Sequence, residues 1–299
     1  MNIQNTARTF SFLKNYVLII YMRIITKTRK ASSQSKDTAY VLFQKIADTE
    51  VAREGGRKSV LMSIPKKPLN RRKCITLARR IIVTAKKHKI KKIILALSDI
   101  PVPQGISHFD LGRLLAENFE MANFEFTHFK TRPKEGWNEV QEVVIYGASH
   151  DKFKKGLTQG TLVGKEVNKS RILSNTPGGD MTPRMLAKAA REACRGTQIR
   201  VTILGKKEIE RHKMGAILGV AKGSDEEPQF IILKYRGGKR AEKPIVLVGK
   251  GVTFDTGGLN LKPSSGILDM HLDMSGGAAV IHTIVIAAKL KLKKNIVAL

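Results

Sequence analysis

Apolar and polar positions alternate along this chain in two rhythms, and the switch between them marks out the elements. Arg23–Thr28 and Tyr40–Phe43 read as short strands, Ser59–Ile64 as a third, with Pro65 and Pro68 as breakers behind it. From about Arg71 to His88, Cys74, Leu77, Ala78, Ile81, Ile82 and Ala85 recur at helical spacing. Arg72, Arg79, Arg80, Lys86 and Lys87 fill the rest of the turn. That basic face is available to an acidic partner or to plain solvation. Lys91–Leu97 is a continuous apolar run, the mark of a strand buried on both faces. Phe109–Met121 reads as a helix, Phe124–His128 as a strand and Glu142–Gly147 as another. Thr131–Asn138, with Pro133, Gly136 and the packing residue Trp137, is a turn-rich connection.

The second half has the same alternation with sharper punctuation. Phe153–Leu173 reads as a long basic helix with Gly156, Gly160 and Gly164 at four-residue spacing, which allows close helix packing. It ends in the breaker cluster Ser174–Pro183. Thr182 then caps a helix with Pro183 at its first position, Leu186, Ala189, Ala190 and Ala193 on one face, and Gly196 past its end. Ile199–Leu204, Phe230–Tyr235 and Pro244–Gly249 read as strands, Lys207–Lys213 as a short helix, Gly215–Gly223 as a small apolar segment, and Gly276–Ala288 as an apolar helix. A last strand begins at Ile296. Strand and helix in alternation predict an α/β fold with parallel pairing. The expected organisation is an N-terminal α/β accessory domain over 22–150, a linking helix over 151–174, and residues 175–299 as the first part of a larger α/β catalytic domain with a mixed, mostly parallel sheet.

Length and composition agree with a globular protein, since 299 residues at 42% hydrophobic supply real cores. Cys74 and Cys194 are the two cysteines, each inside an apolar-periodic segment, which fits buried thiols in a reducing cytoplasm. The run Tyr16–Met22 has seven apolar residues against the ~20 that span a bilayer, so no membrane span is read there. It lacks the small-residue cleavage site of a signal peptide, and residues 1–21 are read as an extension or tail ahead of a start at Met22. A net charge of +29, from 54 Lys and Arg against 25 Asp and Glu, attracts nucleic acid or other polyanions, though 6% aromatic content offers little for base stacking. A basic nucleic-acid-binding protein without catalysis is therefore one reading of the chain, and a fragment without function is another.

Candidate chemistry sits after the strand at Ile245–Val248. Val248-Gly-Lys-Gly-Val-Thr-Phe-Asp-Thr-Gly-Gly258 and its continuation place Lys250, Asp255, Lys262 and Asp273 in glycine-rich turns at the carboxyl end of a strand, where open α/β sheets hold ligands. Carboxylates suit Mg²⁺, Mn²⁺ or Zn²⁺, and a shared one can bridge two ions. A lysine ligates only as the neutral amine. Equally, the two lysines and two aspartates can simply pair as salt bridges. His271 and His282 read as packing or supporting residues, and no phosphate loop, dinucleotide fingerprint or His-Glu-x-x-His motif occurs.

The stretch resembles the signature of the leucyl (cytosol) aminopeptidase family. Val248–Gly258, Leu261-Lys-Pro263, Asp269-Met270 and Asp273-Met-x-Gly-x-Ala-Ala279 carry the likeness, with Asn175-Thr-Pro, Met181-Thr-Pro, Met214-Gly-Ala, Leu218–Ser224 and Tyr235 upstream. It extends over about 156–299. The resemblance implies a cytoplasmic two-metal exopeptidase, commonly hexameric, that releases N-terminal residues from peptides with a metal-activated water as nucleophile. It implies that Lys250, Asp255 and Asp273 ligate Mn²⁺ or Zn²⁺, with Asp255 bridging to a second ion. By the same token Lys262 polarises the scissile carbonyl, Asp273 receives the substrate's α-amine and Met270 lines the side-chain pocket. Thr256 stands where the family has serine. The family's Asn-Thr-Asp-Ala-Glu-Gly-Arg motif, whose acids complete both metal sites and whose arginine holds a catalytic anion (bicarbonate), does not occur in these 299 residues. The polypeptide is therefore expected to bind the second metal poorly and to have little peptidase activity.

Overall fold

The computed structural model describes residues 22–27, 37–44, 50–54, 57–63, 70–100 and 105–299. The readings of residues 1–21 and of the breakers Pro65 and Pro68 lie outside the described residues. The chain divides into two compact units, 1–124 with 129–161, and 125–128 with 162–299.

The first unit is a six-stranded sheet made of β1 (Arg23–Lys27), β2 (Thr38–Gln44), β3 (Glu50–Glu54), β4 (Arg57–Ser63), β5 (Lys92–Ala96) and β6 (Glu142–Tyr146), with the helices α1 (Arg71–Lys87) and α2 (His108–Asn123). The strand order is β1-β6-β5-β2-β4-β3. Every neighbouring pair is parallel except β3 with β4, which run antiparallel at the edge. β5 shows why its apolar run is continuous. Ile93 and Leu95 belong to the large core that also holds α1 and α2, whereas Ile94 points to the opposite face with Tyr40 and Val144, so alternate side chains serve two faces.

Both helices start at side-chain caps. Asn70 accepts from the Lys73 amide at 2.9 Å, and Ser107 from that of Asp110 at 3.1 Å, each satisfying an amide the helix leaves unpaired. Two expectations need correction. Phe124–His128 forms no strand; six other strands make up the sheet, and the segment is irregular, with the Phe126 and His128 rings 6.3 Å apart. β3 has no counterpart in the hydrophobicity pattern, because an edge strand with charged ends, Glu50-Val-Ala-Arg-Glu54, lacks an apolar run.

α3 (Asp151–Asn175) begins in the first unit and ends in the second. Its early glycines have the predicted use. A Cβ on Gly156 would run into the Phe109 carbonyl, and one on Gly160 into that of Arg113, so both admit the backbone of α2. Gly112 on α2 reciprocates against the Phe153 carbonyl.

The second unit continues with α4 (Pro183–Ala193), β7 (Arg200–Leu204), α5 (Lys206–Arg211), α6 (Gly215–Ala221), β8 (Phe230–Arg236), β9 (Ile245–Leu247), α7 (Ser264–Ile267), a 3₁₀ turn at Met270–Met274, α8 (Ser275–Lys289) and β10 (Asn295–Ala298). Its sheet is mixed, in the order β7-β8-β10-β9, with β9 parallel to β10 and β8 antiparallel to both β7 and β10. α4 and α8 pack on this sheet, and Leu186, Ala190, Leu233, Ile281, Ile284 and Ala298 are buried. Thr182 caps α4 by accepting from the Met185 amide at 3.3 Å, with Pro183 in the first turn. Residues 264–289 are long and apolar enough to span a bilayer by composition. They are nevertheless broken into α7, the 3₁₀ turn and α8, and α8 buries Ala278, Ile281, His282, Ile284, Val285 and Ala287 within its own unit.

Both cysteines are buried free thiols. Burial pushes the Cys194 thiol up to about 11, which keeps it protonated and unreactive.

Candidate metal centre

β9 ends at Leu247, and the chain then meets the first turn of α8 backbone to backbone. The Gly277 amide donates to the Lys250 carbonyl at 2.7 Å. A side chain at Gly249 would collide with the Gly276 carbonyl, so the close approach depends on glycine at that position. Its consequence is to set Lys250 beside Asp273, which lies in the 3₁₀ turn just ahead of α8. The Lys250 Nζ is 2.6 Å from Asp273 Oδ2. That oxygen is fully buried and has the ammonium at ion-pair distance without a well-angled hydrogen bond.

The next turn presents Asp255 and Lys262. Gly257 and Gly258 take φ of +95° and +86°, a left-handed conformation that suits glycine. The Gly257 amide donates to Asp255 Oδ1 at 2.9 Å, and the Lys262 amide closes the turn on the Thr256 carbonyl at 3.0 Å. Lys262 Nζ then lies 3.3 Å from Asp255 Oδ2. The Gly257 amide, the Lys262 ammonium and, more weakly, Lys250 hold the Asp255 carboxyl below its ordinary range. The close contact with Asp273 and its charge, and Asp255 through its charge, raise the Lys250 ammonium above its usual range. The four side chains thus form one electrostatic chain, Lys262–Asp255–Lys250–Asp273, and the ion pairing expected from their charges is what they make. Met270 is half-buried at the start of the 3₁₀ turn and is not among the residues lining the adjacent cleft.

That cleft, of about 440 Å³, is bounded by Leu186, Val220, Phe230, Val252, Phe254 and Val280, among others. Phe254 packs over Gly178, where a Cβ would strike its ring, so the Asn175–Pro183 loop supports the site loop from below. Sequence reasoning passed over the anchor of α8. Glu166 on α3, 3% exposed, accepts from Lys169 at 2.8 Å and Lys289 at 2.7 Å on Oε1, and its Oε2 lies 2.9 Å from His282 Nδ1. The signal was available: Glu166 is the one acidic residue between Asp151 and Asp180. Burial pushes its carboxyl up, but the hydrogen bonds from His282, Lys169 and Lys289 outweigh burial and hold it well below the ordinary carboxylate range.

The donors at the loop comprise two carboxylates and an amine, one buried oxygen among them lacking a good hydrogen bond. They fit one side of a site for a hard divalent cation, whose usual six positions need further oxygen donors. Among the described residues no group of three or more His, Cys, Asp or Glu gathers as a metal cluster.

Residues 168–299 match the catalytic domain of the cytosol aminopeptidase family. Over this region the chain is similar to that family. A probable cytosol aminopeptidase of Bdellovibrio bacteriovorus is 42% identical over 192 residues, covering 64% of this chain and 38% of its own. A probable cytosol aminopeptidase of Burkholderia mallei is 37% identical over 214 residues, covering 71% of this chain and 42% of its own. The chain thus spans about two fifths of the length of these relatives. Among solved structures, a tomato leucine aminopeptidase mutant has TM-score 0.75 at 19% identity, covering 93% of this chain and 61% of its own. The bottromycin maturation enzyme BotP in complex with Mn has TM-score 0.73 at 20% identity, covering 88% and 58%. At these identities the two structures establish the shared fold.

Proposed function

We infer that this chain carries the first half of the two-metal centre of an aminopeptidase that removes N-terminal, leucine-like residues from peptides. The observation that supports the reading best is the convergence of Lys250, Asp255 and Lys262 on a glycine-built loop with Asp273 of the neighbouring 3₁₀ turn, inside the region that matches the peptidase family.

Lys250, Asp255 and Asp273 would hold one divalent ion, Mn²⁺ or Zn²⁺, with Asp255 turned toward a second. Bound there, such ions supply Lewis-acid polarisation and a water nucleophile at neutral pH. To ligate, Lys250 must give up its proton and its pairing with Asp273. Lys262, released from Asp255, would donate to the carbonyl oxygen of the scissile bond, where negative charge develops. Asp273 would receive the peptide's free α-amine, and Met270 would face its first side chain. The relatives' name and the solved Mn complex agree with a cytoplasmic, metal-dependent enzyme acting on peptides. A hexamer, and a bicarbonate held by an arginine, would go with this activity.

The half-site makes a sharp expectation. The 299-residue polypeptide should hydrolyse leucine-p-nitroanilide with Mn²⁺ at background rate only. A chimera joining it to the downstream portion of the Bdellovibrio relative should turn over, and lose that activity on Lys262→Ala. Robust turnover by the polypeptide alone would refute the half-site, and a folded chimera active without Lys262 would refute the assigned role.

A further inference from the structure

The carboxyl edge of the first sheet carries a side-chain pair that the peptidase site does not use. β5 and β6 run parallel as neighbours, so α2 and α3, which follow them along the chain, both start at that edge. It is the edge at which open α/β sheets hold ligands. His108 is the first residue of α2, and His150 stands directly before α3. Their rings lie in contact, with centroids 4.3 Å apart and planes tilted by 43°.

The helix crossing holds them there. Gly112 sits against the Phe153 carbonyl, Gly156 against that of Phe109 and Gly160 against that of Arg113, contacts that a Cβ would break. The two backbones are thus locked together within about one turn of each histidine. Ser107 caps α2 and fixes its first turn. Burial does not hold the rings, since both histidines are exposed, and among the described residues no hydrogen bond or ion pair reaches either imidazole. Two converging helix N-termini work against a cation, but each first turn carries a carboxylate, Asp110 and Asp151. Asp110 accepts from the Ser107 hydroxyl at 2.7 Å with Arg113 3.7 Å away, and Asp151 lies 3.7 Å from Lys154, its side chain 87% exposed. Neither is consumed by a buried pair, so both offset the helix dipoles at the histidines.

We propose that His108 and His150 together bind a divalent ion of the zinc, nickel or copper type, the class that imidazole suits. An ion ~2.0–2.1 Å from one nitrogen of each ring sets those nitrogens about 3 Å apart. With the rings already at 4.3 Å, rotation about the side-chain bonds of two exposed residues meets that requirement. Among the described residues no third His, Cys, Asp or Glu joins the pair. Water therefore fills the remaining positions, and the ion is exchangeable, unlike one in a closed four-ligand structural site. Bound to the folded chain alone, it ties the starts of α2 and α3 together and stabilises the native state by mass action. The proposal is independent of the peptidase reading.

The test is isothermal titration of the full chain with Zn²⁺ and Ni²⁺, in a background of Asp255→Asn and Asp273→Asn that silences the candidate metal centre. Electron paramagnetic resonance of the Cu²⁺-loaded protein counts the nitrogen ligands. One ion per chain and two equatorial nitrogens are expected. His108→Phe and His150→Phe each keep an aromatic ring at the contact and remove one ligand. Each should weaken binding by at least the ~10-fold that loss of a mere supporting partner costs. His108→Gln and His150→Gln should lose as much, which separates ligation from added apolar surface, with far-UV circular dichroism showing every variant folded. The controls His88→Phe and His212→Phe, at exposed histidines elsewhere, should bind as the parent does. The proposal is overturned if no ion binds, if the variants at 108 and 150 bind as tightly as the parent, if the controls weaken as much as they do, or if the copper signal shows a single nitrogen.

Discussion

Replacing Glu166 with glutamine removes one charge and almost no volume from a site that is 3% exposed. The carboxylate accepts three hydrogen bonds, and its partners Lys289 and His282 both lie on α8. Glutamine cannot accept from all three, and it leaves the two half-sheltered lysines without a counter-charge and the buried His282 Nδ1 without its carboxylate partner. Breaking a buried ion cluster from one side costs about 3–5 kcal/mol; the lysines, each 33% exposed, recover some solvation, which places the expectation near the lower end at about 3 kcal/mol. For a unit of this size that is roughly 6–12 °C in Tm, read by calorimetry as the transition of the second unit. The pH dependence carries the second half of the test. Because the folded carboxyl is held below its unfolded range, its stabilisation is complete above the unfolded value near ~4.3 and is lost as pH falls from there through the folded value. The gap between parent and Glu166→Gln should therefore be widest above about pH 5 and close in stronger acid. A variant that melts within a degree of the parent at neutral pH, or a gap that widens in acid, would refute the reasoning.

Gly156→Ala drives a methyl into the Phe109 carbonyl, and the α2–α3 crossing should lose about 1–3 kcal/mol, seen as a lower melting transition of the first unit. Thr182→Ala strips the cap from α4 and should lower stability by about 1 kcal/mol in urea denaturation with an unchanged m-value. Gly257→Ala forces a side chain into a left-handed residue and against the Asn260 carbonyl; Mn²⁺ affinity should fall while global stability changes little, and equal affinity would show that the turn does not position Asp255.

Much of this architecture is legible from periodicity because local and tertiary demands agree. α1, α4 and α8 each have an apolar stripe that the sheet covers, and β5 announces its two buried faces by an unbroken apolar run. β3 was hidden since an edge strand needs neither apolar face fully covered, and Phe124–His128 looked like a strand because aromatic alternation satisfies the pattern without a slot in the sheet. At the site, glycines 249 and 257 signalled tight turns, and the turns duly place Lys250 and Asp255. Glu166 was the larger gap. Its meaning depends on Lys289 and His282, more than a hundred residues away in sequence, and no local pattern encodes that meeting.

The half-site claim is tested most directly by titrating Mn²⁺ into the 299-residue chain and following the free-ion signal by electron paramagnetic resonance. One weakly held ion per chain, lost in both Asp255→Asn and Asp273→Asn and retained in Asp180→Asn, is the predicted result. Binding that is unchanged by the Asp255 and Asp273 substitutions would contradict it.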